Sequence, residues 1–230
     1  MTGGDRRLDT MTWPDAARVG SGSMLVVPLG STEQHGPHLP LSTDTDVAIA
    51  LCERLAARRP DVVVAPALPY GSSGEHADFA GTVSIGASVL QQVIVEIVRS
   101  VDAFGGVVLV SGHGGNAAPL AAAVATARSE GRHVLAWSPH LPAGDSHAGH
   151  TETSLLLALR PSVVRTADAK RGNIRPLEEL LPQLRQRGLR VLSPNGVLGD
   201  PSGASAEEGA HLLDALADQL AGSVEAWWSP

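Results

Sequence analysis

Residues 24–44 read MLVVPLGSTEQHGPHLPLSTD. Met24–Leu29 is continuously apolar, the pattern of a strand buried on both faces of a sheet. From Gly30 the composition switches to Gly, Pro, Ser and His, so the chain leaves the sheet in a long loop that runs to Thr43. Residues 44–59 then place Val47, Ala50, Leu51 and Leu55 on one side of a helix, with Asp44 at its start and Pro60 at its stop. A buried strand, a loop and an amphipathic helix make up the first half of a βαβ unit.

The same order recurs downstream. Asp61–Ala65 (DVVVA) reads as a second buried strand, followed by a Gly/Ser/Pro-rich loop over 66–86. Residues 87–104 carry Leu90, Val93, Ile94, Ile97, Val101 and Phe104 at helical spacing, and Gly105-Gly106 closes that helix. Val107–Ser111 is a third strand and runs directly into GHGGN. An Ala-rich helix over 117–130 stops at Gly131, and His133–Trp137 is a fourth strand. Helices are expected over 151–160, 176–187 and 205–222, the last opened by a capping box of Ser205 and Glu208. Strands alternating with helices predict an α/β fold with a mostly parallel central sheet and helices on both faces. Residues 1–22 read as a loose N-terminal arm with one short helix near Trp13–Arg18, and 23–230 as one domain.

Composition excludes several functions. The formal charge is 17 − 24 = −7 over 230 residues, with histidines neutral. An acidic chain with 3% aromatic residues is a poor match for nucleic acid, which needs a basic face and stacking platforms. One cysteine, Cys52, permits no disulfide framework and no Cys-rich zinc module, and points to a reducing, cytoplasmic setting. No apolar run approaches the roughly 20 residues of a membrane span, and the first 20 residues do not resemble a signal peptide. Sparse charge, 18% of residues, suits an oligomer with buried interfaces.

Histidine is unevenly placed. His35, His38, His76, His113, His140, His147 and His150 all fall in loops that follow strands. In a parallel sheet those loops gather at the carboxyl ends of the strands, where ligands bind. The first loop also carries Glu33 and Asp44, and the fourth is followed by Glu152. Mixed His/Asp/Glu donors suit divalent Zn, Mn or Fe, and a carboxylate can bridge two ions. Each residue alone has a plainer reading. Asp44 is where a helix cap belongs, Glu152 is where the helix dipole favours an acid, and GHGGN is an ordinary turn. Independent structural roles would not gather seven histidines at one end of a sheet.

GSTEQHGPHLPLSTDTD (30–46), YGSSGEHADFAGTVSIG (70–86), SGHGGN (111–116) and HAGHTETS (147–154) resemble, in order and spacing, the signature segments of the creatininase (creatinine amidohydrolase) family. GVLGDP at 196–201 extends the resemblance. It implies a three-layer α/β/α sandwich, a homo-oligomer (a hexamer or octamer), and hydrolysis of an amide-type C–N bond at a site with two divalent metal ions per subunit. By position, the resemblance implies Glu33, His35, Asp44 and His113 as metal ligands, Asp44 bridging, and His147 as the catalytic histidine. The chain departs from creatininase itself at Gly115, where that enzyme carries a glutamate ligand, and this counts against creatinine as substrate. Glu152 is the expected replacement. Ser72, Ser73, Glu75 and His76 are expected to line the substrate pocket. His38, His150 and Asn116 are expected to support the ligands.

Two subgroups of the family keep the GHGGN form. GEHADFAGTVSIG, HAGHTETS and GVLGDP resemble the one that releases a modified Val-Tyr-derived C-terminal dipeptide from a ribosomally made precursor peptide. The other comprises deformylases of small formylated pyrimidine intermediates. A small-molecule amidohydrolase and a non-catalytic metal-binding scaffold stay open as alternatives.

Overall fold

In the computed structural model, which describes residues 6–20, 22–141 and 144–228, the apolar runs form the strands of one parallel sheet. The chain runs α1 (Trp13–Val19), β1 (Met24–Leu29), α2 (Thr43–Arg58), β2 (Val62–Val64), α3 (Ala87–Ser100), β3 (Gly106–Ser111), α4 (Ala117–Ser129), β4 (Val134–Trp137), α5 (His150–Leu159), α6 (Leu177–Arg187), α7 (Leu189–Leu192) and α8 (Ala206–Trp227). Strand order is β2-β1-β3-β4. β1 pairs with β2 through Met24↔Val62 and with β3 from Met24↔Gly106 to Leu29↔Ser111.

Strand alternation divides the core. Met24 and Val26 of β1 and Val108 and Val110 of β3 face α2, α5 and α8, where Leu51, Leu55, Leu155, Leu156, Leu213 and Leu220 are buried. Leu25, Val27 and Leu29, with Val107 and Leu109, face α3 and α4 through Leu90, Ile94, Leu120 and Ala123. Helices thus cover both faces of the sheet, as α/β/α layering requires. Each fully buried Leu, Ile or Val contributes about 1.5–3 kcal/mol, so the two clusters hold the sheet flat against both helical layers.

Several boundaries differ from the sequence reading. α3 stops at Ser100, because Val101–Gly105 turn back with Phe104 N–H donating to the Val101 carbonyl. α7 has no counterpart in the expected elements. α6 continues through Pro182. α8 extends to Trp227, and Ser205 caps it by accepting from the Glu208 N–H at 3.1 Å. The expected arm is packed over residues 6–20. The Val64 N–H donates to the Arg6 carbonyl at 2.9 Å, Arg7 bridges Val64 in parallel, and Leu8, Met11 and Val19 pack on the second cluster. Residues 1–5 and 21 of that arm lie outside the described residues. Among the described residues no helix is long and apolar enough to cross a membrane.

The strand order fixes where a ligand can sit. α2 leaves β1 toward one face, while the helices flanking β3 lie on the other. The loops after β1 and β3 therefore diverge and open a crevice between the carboxyl ends of those strands.

Candidate active site

The loop after β1 carries Glu33 and His35 into that crevice, and the first turn of α2 adds Asp44. The residues following β3 supply His113. The segment after β4 supplies His147, and the first turn of α5 supplies Glu152. These side chains meet. Donor atoms of Glu33, Asp44 and His113 lie within 4.8 Å of one another, and so do those of His35, Asp44 and Glu152. A third set joins Glu33, His35 and His147. Asp44 belongs to the first two.

Asp44 is shared through different oxygens. Its Oδ1 lies 3.1 Å from His35 Nε2, and its Oδ2 lies 3.2 Å from His113 Nδ1. The Ser31 hydroxyl donates to Oδ2 at 2.6 Å and fixes the carboxylate plane. The capping role that the sequence allowed for Asp44 is not the one it takes: Ser42 occupies the cap position of α2.

Both imidazoles are oriented from behind. His35 Nδ1 donates to the Glu33 carbonyl at 3.1 Å, and His113 Nε2 donates to the Ser72 carbonyl at 3.1 Å. A neutral ring held this way turns its lone pair toward Asp44. Around Asp44 Oδ1 the neighbours are therefore acceptors, with Glu152 Oε2 at 3.8 Å from His35 Nε2. Without a cation, protons must fill these gaps. Burial opposes charge on His35, yet Asp44, Glu152 and Glu33 raise it to about 10. Burial likewise opposes charge on His113, but Glu33 and Asp44 bring it up to about 9. Burial alone would raise Asp44, but His35 and His113 hold it well below the ordinary carboxylate range.

Glu33 supplies the test of fit. Its side chain is fully buried, and neither carboxylate oxygen makes an aligned hydrogen bond among the described residues, although His113 Nε2 and His76 Nε2 stand 3.2 and 3.3 Å from Oε2 and Oε1. Burial, reinforced by the Asp44 charge, pushes it up to about 7. An unpaired buried carboxylate costs several kcal/mol. A divalent cation beside Glu33, Asp44 and His113 removes that cost, so the donor set fits a metal.

His147 lies behind Glu33, its Nδ1 3.9 Å from Glu33 Oε1, and its Nε2 is 2.9 Å from the Gln34 carbonyl. Burial, then His35 and His76, hold it well below the ordinary histidine range. His76 is buried, with Nε2 3.3 Å from Glu33 Oε1. Burial, then His113 and His35, hold it down at about 3.

The other expected residues separate into groups. Ser72, Glu75 and His76 line a cavity of about 920 Å³ beside Glu33 and His113. Ser73 is fully buried, with its hydroxyl 3.4 Å from His113 Nε2, so it packs against a donor and borders neither cavity. Asn116 ties three loops together. Its amide donates to the Gly30 carbonyl at 3.0 Å, and its oxygen accepts from the Ser72 N–H at 2.9 Å. Ser72 in turn holds His113. His38 bonds Thr153, the neighbour of Glu152, at 2.9 Å. His150 stands outside the donor cluster, with Nδ1 3.2 Å from the Ser202 carbonyl, and lines a second cavity of about 890 Å³. Both cavities border Asp44, His113 and Glu152.

Gly115 has a steric explanation. A β-carbon there would lie 2.4 Å from both His113 Nε2 and the Ser72 carbonyl, so no larger side chain fits. Ser31, Gln34 and Thr153 are the site residues that the sequence reading passed over. Ser31 and Gln34 stand inside the quoted GSTEQHG segment, but their residue types carry no metal or acid–base signal.

Buried imidazoles and carboxylates sharing one aspartate at the carboxyl edge of a parallel sheet define a metallohydrolase-type centre. The chain belongs to the creatininase family: the family model described as creatinine amidohydrolase matches residues 9–224. It is 47% identical over 214 residues to the mycofactocin precursor peptide peptidase of Mycobacterium tuberculosis, covering 88% of this chain and 85% of that protein. It is 28% identical to creatinine amidohydrolase of Pseudomonas putida, covering 96% of each. The crystal structure of creatinine amidohydrolase superposes with a TM-score of 0.84 at 26% identity, covering 99% of this chain and all of the other. A glutamine mutant of creatininase described as Zn–Zn type gives 0.81 at 25% identity over the same shares.

Proposed function

We propose that this protein is a metal-dependent peptidase that cleaves an amide bond near the C-terminus of a modified precursor peptide, releasing the Val-Tyr-derived fragment in mycofactocin biosynthesis. The observation that carries the hydrolase reading is the sharing of Asp44 between two donor triads. The substrate follows from the 47% identical relative. The two cavities, about 890 and 920 Å³, support it, because both reach the same donors. A bond inside a peptide has chain on either side, and a small cyclic amide needs only one compartment.

Glu33, Asp44 and His113 hold one divalent ion in this reading, and His35, Asp44 and Glu152 the other, as Zn, Fe or Mn. Such ions make water nucleophilic near neutral pH and polarise an amide carbonyl. The chain supplies the rest. Asp44 offers one oxygen to each triad, and Ser31 keeps it from rotating. His147, neutral at rest, would take a proton from the attacking water and return it to the departing nitrogen, as an imidazole can near neutral pH. Ser72, Glu75 and His76 contact substrate in the 920 Å³ cavity, and His38 and Asn116 keep the ligands oriented. The working form is a cytoplasmic homo-oligomer, a hexamer or octamer, of chains with one domain over 23–230.

The test is incubation of the decarboxylated, cross-linked precursor peptide with metal-loaded and chelator-treated protein, read by mass spectrometry. Metal-dependent release of the C-terminal fragment is the expected result. Intact peptide after incubation with protein shown to contain metal overturns the peptidase reading. Turnover of formamides or cyclic amides would then identify a small-amide hydrolase, and turnover of neither a scaffold.

A further inference from the structure

Gln34 sits between two residues of the donor set, and its amide meets four groups. The amide oxygen accepts from the Gly36 N–H at 2.9 Å. The amide nitrogen lies 3.0 Å from the Gly196 carbonyl, 3.1 Å from His76 Nδ1 and 3.0 Å from His147 Nε2. A carbonyl only accepts and a backbone N–H only donates, so Gly196 and Gly36 fix which end of the amide is which.

Proton counting then settles the two rings. The amide nitrogen has two hydrogens and three neighbours. The Gly196 carbonyl takes one. His147 Nε2 is 2.9 Å from the Gln34 main-chain carbonyl, which has no proton to give. That nitrogen must carry the His147 ring proton and cannot accept from the amide. The second amide hydrogen therefore goes to His76 Nδ1, which puts the His76 ring proton on Nε2. The outcome is asymmetric around Glu33 Oε1: a donor N–H on His76 at 3.3 Å and a lone pair on His147 Nδ1 at 3.9 Å.

We infer that Gln34 is a positioning residue, which through its side-chain amide and main-chain carbonyl sets the tautomers of His76 and His147 and leaves the lone pair of His147 Nδ1 facing Glu33. The tautomers rest on hydrogen bonding alone; their catalytic consequence rests on the proposed hydrolase reading. The 196–198 segment belongs to the same device. His147 and Leu198 exchange main-chain hydrogen bonds at 3.1 and 2.8 Å, which holds His147 beside Gln34.

The experiment is long-range proton–nitrogen NMR on protein labelled with 15N-histidine, metal-free and zinc-loaded, for wild type and Gln34→Glu. In wild type both His76 and His147 carry the ring proton on Nε2. In Gln34→Glu a carboxylate replaces the donor, and the His76 proton moves to Nδ1 while His147 keeps Nε2–H. A His76 proton on Nδ1 in wild type, or an unchanged His76 in the variant, overturns the assignment. With metal content unchanged, kcat on the precursor peptide falls about 10- to 100-fold, the usual effect of losing such a partner, and KM changes little. An altered tautomer with wild-type kcat overturns the positioning role. If wild type does not cleave the peptide, the proposed function fails while the NMR result still decides the tautomers. Gly196→Ala covers the case of a Gln34→Glu variant that does not fold. Its β-carbon would sit 1.9 Å from the Gln34 Oε1, displacing the amide without changing residue 34. Loss of the fixed His76 tautomer is expected there too, and its retention counts against the proposal.

Discussion

Gly112 lies against the main chain of Asp44 so closely that a β-carbon on Gly112 would be 2.3 Å from the Asp44 carbonyl oxygen. The contact locks the end of β3 to the first turn of α2, and so locks His113 to Asp44. Gly112→Ala must push two backbones apart, at a cost of about 1–3 kcal/mol. In a chain of this size each kcal/mol lowers the melting temperature by about 2–4 °C. Gly114→Ala is the control, since a β-carbon there meets nothing within 4 Å. Thermal melts of both variants, with metal content by elemental analysis, check this. Equal stability of the two would refute the locking role.

Removing Asp44 takes a donor from both triads, whereas removing Glu152 takes one from a single triad. Asp44→Ala should lose nearly all bound metal. Glu152→Ala should keep about half of the two-ion complement. Elemental analysis after dialysis distinguishes them, and full occupancy in Asp44→Ala would exclude the shared role.

His147 lies against Glu33 at 3.9 Å and takes no part in the two triads that share Asp44. His147→Ala should therefore retain metal while turnover falls by about 100- to 10,000-fold, the range for a lost proton-transfer group. Metal content and kcat measured on the same preparation test this. Turnover near that of wild type would remove His147 from the chemistry.

Cys52 is fully buried on α2 within the first core cluster. Burial, helped by Glu53, pushes its thiol well above the usual range. The reactive thiolate is therefore scarce at neutral pH and shielded from reagents. Native protein should resist alkylation by iodoacetamide over hours, and denatured protein should react within minutes. Rapid modification of folded protein would contradict this packing.

The parts of this architecture that depend on nearest neighbours were readable from the chain. Met24–Leu29 and Gly106–Ser111 are buried on both faces, and that state leaves an unbroken apolar run. α2 announces itself by spacing, and the first turns of α2 and α5 put Asp44 and Glu152 at the carboxyl ends of the strands. What stayed hidden depends on long-range contact. Gln34 meets His147 across 113 positions, and Thr153 meets His38 across 115. Neither residue type advertises such a partner. α7 is four residues long, too short for periodicity to register. The short helix near Trp13–Arg18 was legible, but the docking of residues 6–20 was not, because a main-chain bridge such as Arg7 to Val64 uses no side-chain pattern. Gly115 could be seen to differ from the family pattern, but the reason needed the positions of His113 and Ser72.

That bridge has a consequence for the outer margin of the sheet. β2 is the outer strand of the sheet, three valines long, and an uncovered row of valine amides is a template for pairing with another chain. Arg6 and Arg7 cover the end of that row, the Arg6 carbonyl accepting from the Val64 N–H and Arg7 bridging Val64. A form shortened past residue 7 would leave that margin bare at Val64, and its first symptom would be aggregation during expression.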